Sequence, residues 1–105
     1  MLARVAVSAA LLAACTSASS TGIPPVSCPP DSTLTYASFG EELIASHCLS
    51  CHDRTRPVLT TQVQIQAKTD AVLDGAVYTD AMPERADMPL AQRELLGEWL
   101  ACGAP

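Results

Sequence analysis

The sequence predicts an all-α domain, and three stretches carry that prediction. Phe39, Leu43, Ile44, His47 and Cys51 recur at the three- and four-residue spacing of one helical face. Val63, Ala67, Ala71 and Val72 repeat the period in the middle of the chain, and Leu95, Leu96, Trp99 and Leu100 make the apolar side of a last helix over 90–101. No strand–helix–strand pattern accompanies them. A length of 105 residues leaves room for one domain.

The chain opens with Arg4, its one charge before residue 15, set in an uncharged apolar run that is short for a bilayer span and ends in small residues. That is the pattern of an export signal. Leu12-Ala13-Ala14-Cys15 resembles the lipobox of bacterial lipoproteins, which implies loss of residues 1–14 and a lipid on Cys15; ordinary cleavage after a small residue is the alternative. From Thr16 to Thr35 the composition is Ser, Thr and Pro, stiffest at Ile23-Pro24-Pro25-Val26 and Cys28-Pro29-Pro30-Asp31. Such a segment reads as an extended tether, residues 15–35, holding a domain of residues 36–105 off the membrane.

The formal charge is −5, and −6 once Arg4 is removed with the signal. An acidic chain argues against nucleic acid, whose phosphates require clustered Lys and Arg. It suits a redox partner with a basic face, or simply a soluble surface.

Ser38-Phe39-Gly40-Glu41 has the S-x-x-E form of a capping box, so a helix is expected from about 39 into the cysteine pair that follows. Thr61-x-x-Gln64 could cap a second helix, although Val63 and Ile65 flanked by glutamines also alternate like a short strand. Asp74-Gly75 is its expected end. Met82-Pro83 and Met88-Pro89 precede the last helix, which Pro89 opens. Gly97 inside that helix costs about 1 kcal/mol relative to alanine, a sign of close approach, expected here from the first helix near Gly40.

Cys48-Leu49-Ser50-Cys51-His52 organises the rest. Two cysteines three apart can reach the two vinyl groups of one porphyrin, and the next residue, a histidine, can supply the proximal nitrogen to its iron. On this motif the chain resembles the class I cytochromes c from about Tyr36 onward, in a lipoprotein form. Other readings of the cysteines are weaker. A structural zinc site needs four ligands, and His47, Cys48, Cys51 and His52 crowd into six residues; a thioredoxin-like pair calls for the missing βαβ pattern.

The resemblance implies a small cytochrome c-like fold, three to four helices around one covalently bound haem c, with thioethers from Cys48 and Cys51 and His52 on the iron. Family members often hold the ligating histidine by a proline carbonyl downstream, for which Pro57 is the candidate. The family's distal methionine often precedes a proline in a loop ahead of the last helix, which points to Met82, with Met88 as the alternative; either could instead fill a core gap. The first helix of the family crosses the last near a small residue, and Gly40 and Ile44 fall there. Arg54 and Arg56 could reach the propionates, and His47 stays on the proximal side or the surface. The interval from His52 to Met82 is short for the family, which leaves the haem edge more open.

With Cys15 given to lipid and Cys48 and Cys51 to haem, Cys28 and Cys102 remain, and in an exported protein they are expected to pair. Two free thiols are the alternative. Closing that segment would stabilise the chain by about 4 kcal/mol in the loop-entropy picture.

The leading functional expectation is one-electron transfer by a membrane-anchored mono-haem cytochrome, not an enzyme, with redox proteins as partners and no small-molecule substrate. Its place would be the periplasmic or cell-surface side of a bacterial membrane. The alternatives are an open-site haem protein, peroxidase-like or gas-sensing, and a haem-bearing accessory subunit of a larger oxidoreductase.

Overall fold

The computed structural model describes residues 18–84 and 86–105. The expected signal, 1–14, and Cys15 lie outside the described residues.

Helical structure starts one turn earlier than the S-x-x-E pattern suggests. The Thr35 hydroxyl accepts from the Ser38 N–H at 3.0 Å while the Ser38 hydroxyl accepts from the Thr35 N–H at 3.1 Å. This is a reciprocal cap, and it engages Ser38 before Ser38 can cap on Glu41. A wide π-helical turn, Tyr36–Gly40, leads into α1, Glu41–His47. At Cys48 the backbone departs to φ −121°, ψ −40°, and α2, Leu49–His52, begins as a separate turn.

The second cap forms where it was expected: the Thr61 hydroxyl accepts from the Gln64 N–H at 3.2 Å, and the Gln64 side-chain oxygen accepts from the Thr61 N–H at 3.0 Å. α3, Gln62–Ala67, follows in place of the alternative strand. Lys68 then closes a tighter bond to the Ile65 carbonyl, 3.0 Å, and the Thr69 hydroxyl takes the Gln66 carbonyl at 2.9 Å, so α4, Thr69–Val72, is a distinct element. A second π-helical turn, Leu73–Val77, carries the chain past Gly75 to Tyr78. Gly75 is therefore not the expected stop. It takes no left-handed conformation; its carbonyl instead receives the Met82 N–H at 2.8 Å.

The last helix, α5, spans Leu90–Ala101 as the periodicity predicts, opening after Pro89. Gly103 and Ala104, at φ 93° and 49°, turn the chain back. The Ala104 N–H then donates to the Trp99 carbonyl at 2.9 Å, and the Ala104 carbonyl accepts from the side-chain amides of Gln62 and Gln66 at 2.9 and 3.0 Å. The molecule is all-α: among the described residues the sole β-feature is an antiparallel bridge between Ser20 and Thr79. Among the described residues five α-helical segments stand where three to four helices were expected, because the chain interrupts two of the expected helices at Cys48 and Lys68.

Ile44, Ile65, Val77, Met88, Leu96, Trp99 and Leu100 form the fully buried centre. Leu95, expected on the apolar side of α5, is exposed, and Arg93 is buried on that side instead. Trp99 is packed by the ring of Tyr36, stacked at 6.4 Å, and the edge of Phe39 at 6.1 Å. Gly40 lies so close to the Trp99 indole that a Cβ there would collide with it. The first and last helical regions thus meet at Gly40, but Gly97 is not the other half of that contact. A Cβ on Gly97 would meet Val26 Cγ1 at 2.7 Å and Val77 Cγ1 at 3.0 Å.

Val26 belongs to the expected tether, and from residue 19 onward that segment does not stand away from the body. The Thr21 N–H donates to the Tyr78 carbonyl at 3.0 Å, the Thr21 hydroxyl to the Val77 carbonyl at 2.6 Å, and the Val26 N–H to the Tyr78 hydroxyl at 3.1 Å. Ser19 and Asp80 exchange two bonds, 2.7 and 3.0 Å. The segment is extended, as Ser, Thr and Pro dictate, yet it is a strap whose backbone groups pair with the 77–80 region.

Candidate functional site

α2 presents Cys48, Cys51 and His52 from one helical turn. The His52 and Cys51 N–H groups both return to the Cys48 carbonyl, at 2.9 and 3.3 Å. The three residues thus fall within about one helical turn, with Cys48, the residue before α2, off helical geometry at φ −121°. Cys48 is half-buried against the core, Cys51 is exposed, and neither is bonded to another cysteine. Burial pushes the Cys48 thiol from its ordinary 9.0 up to about 11.

The His52 ring is held from one edge. Its Nδ1 lies 2.9 Å from the Pro57 carbonyl and 3.0 Å from the Thr55 carbonyl. A carbonyl only accepts, so these contacts assign the proton to Nδ1 and leave Nε2 with a free lone pair in the neutral ring. The hairpin that delivers those carbonyls is closed by the Thr55 N–H on Cys51, 2.9 Å, and the Leu59 N–H on His52, 2.9 Å. This is the arrangement that orients a metal-binding imidazole.

Pro57 also walls a cleft of about 580 Å³ with Arg56, Val58, Gln64, Ala67, Lys68 and Ala71. That volume lies in the ~300–1,000 Å³ range of cofactor and small-molecule sites. Ala67 and Ala71, expected on a core-facing stripe, are exposed and make the cleft's small-residue floor. The Gln64 side-chain oxygen is fully engaged, accepting from Thr60 N–H, Thr60 hydroxyl and Thr61 N–H. Arg56 and Lys68 put two cations on the walls, and among the described residues the one ion pair lies elsewhere, Arg54 with Asp53 at 3.6 Å. Of the two arginines considered for anionic groups, Arg56 reaches this cleft and Arg54 does not. Lys68 had no sequence signal beyond its charge.

Neither candidate distal methionine walls the cleft, nor do Cys48, Cys51 or His52. Met88 is 2% exposed and fills the core. Met82 is half-buried, its side chain beside Gly75, its N–H on the Gly75 carbonyl and its own carbonyl receiving Nη1 of Arg93 at 2.7 Å. His47 is half-buried at the end of α1. Cys28 and Cys102 are joined, S–S 1.95 Å, across a sequence separation of 74. No group of three or more His, Cys, Asp or Glu side chains among the described residues converges on a point where a metal ion could sit, so the four-ligand zinc arrangement is not assembled.

No protein-family model, curated protein or solved structure matches the chain.

Proposed function

We propose that the protein is a mono-haem c-type cytochrome that carries single electrons between redox partner proteins, lipid-anchored through Cys15 on the exported side of a bacterial membrane. The observation that carries the reading is His52, its Nδ1 held by the Pro57 and Thr55 carbonyls, one residue after an unbonded pair of cysteines. Haem iron takes at most two axial ligands from the protein, so the site needs no convergent ligand cluster. The residues fit the group in another respect too: both thiols are unpaired while the other two described cysteines are bonded to each other.

Haem c, when bound, supplies one-electron exchange at its iron. The chain's own contributions are separable. Cys48 and Cys51 would hold the porphyrin by thioethers, and His52 would present Nε2 with its ring angle set by Pro57 and Thr55. Arg56 and Lys68 offer partners for its carboxylates. Met82 would offer the iron a soft neutral thioether, which raises the reduction potential relative to a second histidine. An electron carrier needs no substrate pocket and no acid–base pair.

A second reading has its own support. Met88 is buried in the core and Met82 is half-buried beside Gly75; an iron that neither thioether reached would be open, and hence suited to peroxidase-like or gas-sensing chemistry. An accessory-subunit role differs from the first reading only in the partner.

The test is to mature the protein with haem c assembly machinery, denature it and extract with acidified organic solvent. Pigment should stay with the peptide, and Cys48→Ala with Cys51→Ala should release it. Complete partitioning of pigment into the solvent would end the proposal. The deep-red sulfur-to-iron band of the oxidised protein then supports methionine ligation, whereas a high-spin spectrum that shifts with added ligand selects the open site.

A further inference from the structure

We propose that Arg93 is the positioning residue for Met82, a role that rests on the haem reading above. Arg93 is 3% exposed, the one buried charged residue among those described, and no carboxylate among them lies within ion-pairing distance. Its charge is met by backbone instead. Nη1 donates to the carbonyls of Met82 at 2.7 Å and Ala76 at 2.8 Å, with Thr79 at 3.3 Å, and Nε donates to the Met88 carbonyl at 2.9 Å. Charge-assisted bonds of this kind are about twice as strong as neutral ones.

Three of the four carbonyls, those of Thr79, Met82 and Met88, come from the irregular stretch between the second π-helical turn and α5, and the fourth, that of Ala76, comes from the turn itself. Among the described residues of that stretch, the one hydrogen bond internal to it runs from the Ala81 N–H to the Thr79 hydroxyl, 3.4 Å. The peptide groups of Met82 are held by two, its N–H on Gly75 and its carbonyl on Arg93. A thioether is a weak donor on a flexible side chain, so whether Met82 serves as a ligand depends on how firmly its backbone is placed. Arg93 performs that placement from α5, the longest helix among the described residues. The requirement is for a guanidinium: its fork reaches carbonyls in two directions, through Nε and Nη1, where an ammonium is a single point.

Arg93→Lys and Arg93→Met, matured as the full chain, test this by two measurements: amide hydrogen exchange over residues 79–88, and the concentration of added imidazole that abolishes half of the sulfur-to-iron band. Both variants should exchange at least ten-fold faster in that segment with α1 and α2 unchanged, and should lose the band at ten-fold less imidazole or lower. Arg93→Lys keeps the charge and most of the stem, so it carries the test if Arg93→Met does not fold. Unchanged imidazole sensitivity overturns the proposal even where exchange rises, because Arg93 would then be structural only. Failure of both variants to fold overturns it in the same sense. Absence of the band from the unsubstituted protein is a different result: it removes methionine ligation itself, and the positioning role with it.

Discussion

Cys48 shows how a single side chain couples burial to chemistry. Its thiol ionises near 11, against 9.0 for an ordinary one, because burial penalises the thiolate. The folded state therefore keeps the proton more tightly than the unfolded chain, so the contribution to stability is fully present below pH 9 and is lost as pH rises through about 11. The unmatured protein, with both thiols free, should show a falling urea midpoint across that window, and Cys48→Ala should flatten the fall; a rising midpoint would contradict the sign. Gly40 provides a second single-residue test. A methyl there meets the Trp99 indole, held on other sides by Tyr36 and Phe39, so Gly40→Ala should destabilise by about 1–3 kcal/mol in denaturant titrations. Gly75→Ala, whose methyl meets only the Met82 side chain, Cγ at 3.4 Å and Cβ at 3.9 Å, is the control and should be far milder.

At the scale of elements, the helices follow from local chemistry and the breaks do not. Thr61 with Gln64 is legible in sequence as a cap and forms as one, so Thr61→Ala should cost about 1 kcal/mol, read as a shift in the denaturant midpoint; no shift would mean that α3 is held by packing alone. The last helix is equally legible from Leu96, Trp99 and Leu100. Ser38 misleads because Thr35 stands three residues before it and pairs with it first. The interruption at Lys68 depends on the Thr69 hydroxyl choosing the Gln66 carbonyl, a choice that propensity does not reveal. Arg93 did have a visible signal, a charge three residues before Leu96 and seven before Leu100, on the stripe that should be apolar. Its meaning required the carbonyls of residues 76, 79, 82 and 88, brought together only in the fold. The Cys48, Cys51 and His52 cluster was legible because all three lie within one turn; the cleft was not, because Arg56 and Lys68 come from separate elements.

For the molecule as a whole, the informative feature is the strap. Composition identified residues 16–35 as extended but could not say that Val26 seats against Gly97 or that Thr21 pairs with the 77–78 backbone. Gly97 announced a close neighbour, yet not which one. Replacing both Cys28 and Cys102 by serine should lower stability by up to about 4 kcal/mol, the entropy released by opening a loop of this length, and should make the strap the first place cut by a protease. A double variant as stable and as resistant as the parent would show that the strap's hydrogen bonds suffice without the bond.

The mutual pairing of Ser19 with Asp80 also limits distance. Ser19 lies four residue steps after Cys15, and fully extended chain covers at most about 3.6 Å per step, so a lipid on Cys15 would keep the Ser19 backbone, and the Asp80 side of the body paired with it, within roughly 14 Å of the Cys15 backbone. Such a molecule could not reach far outward. On the electron-carrier reading, donors and acceptors would have to come to it along the bilayer surface.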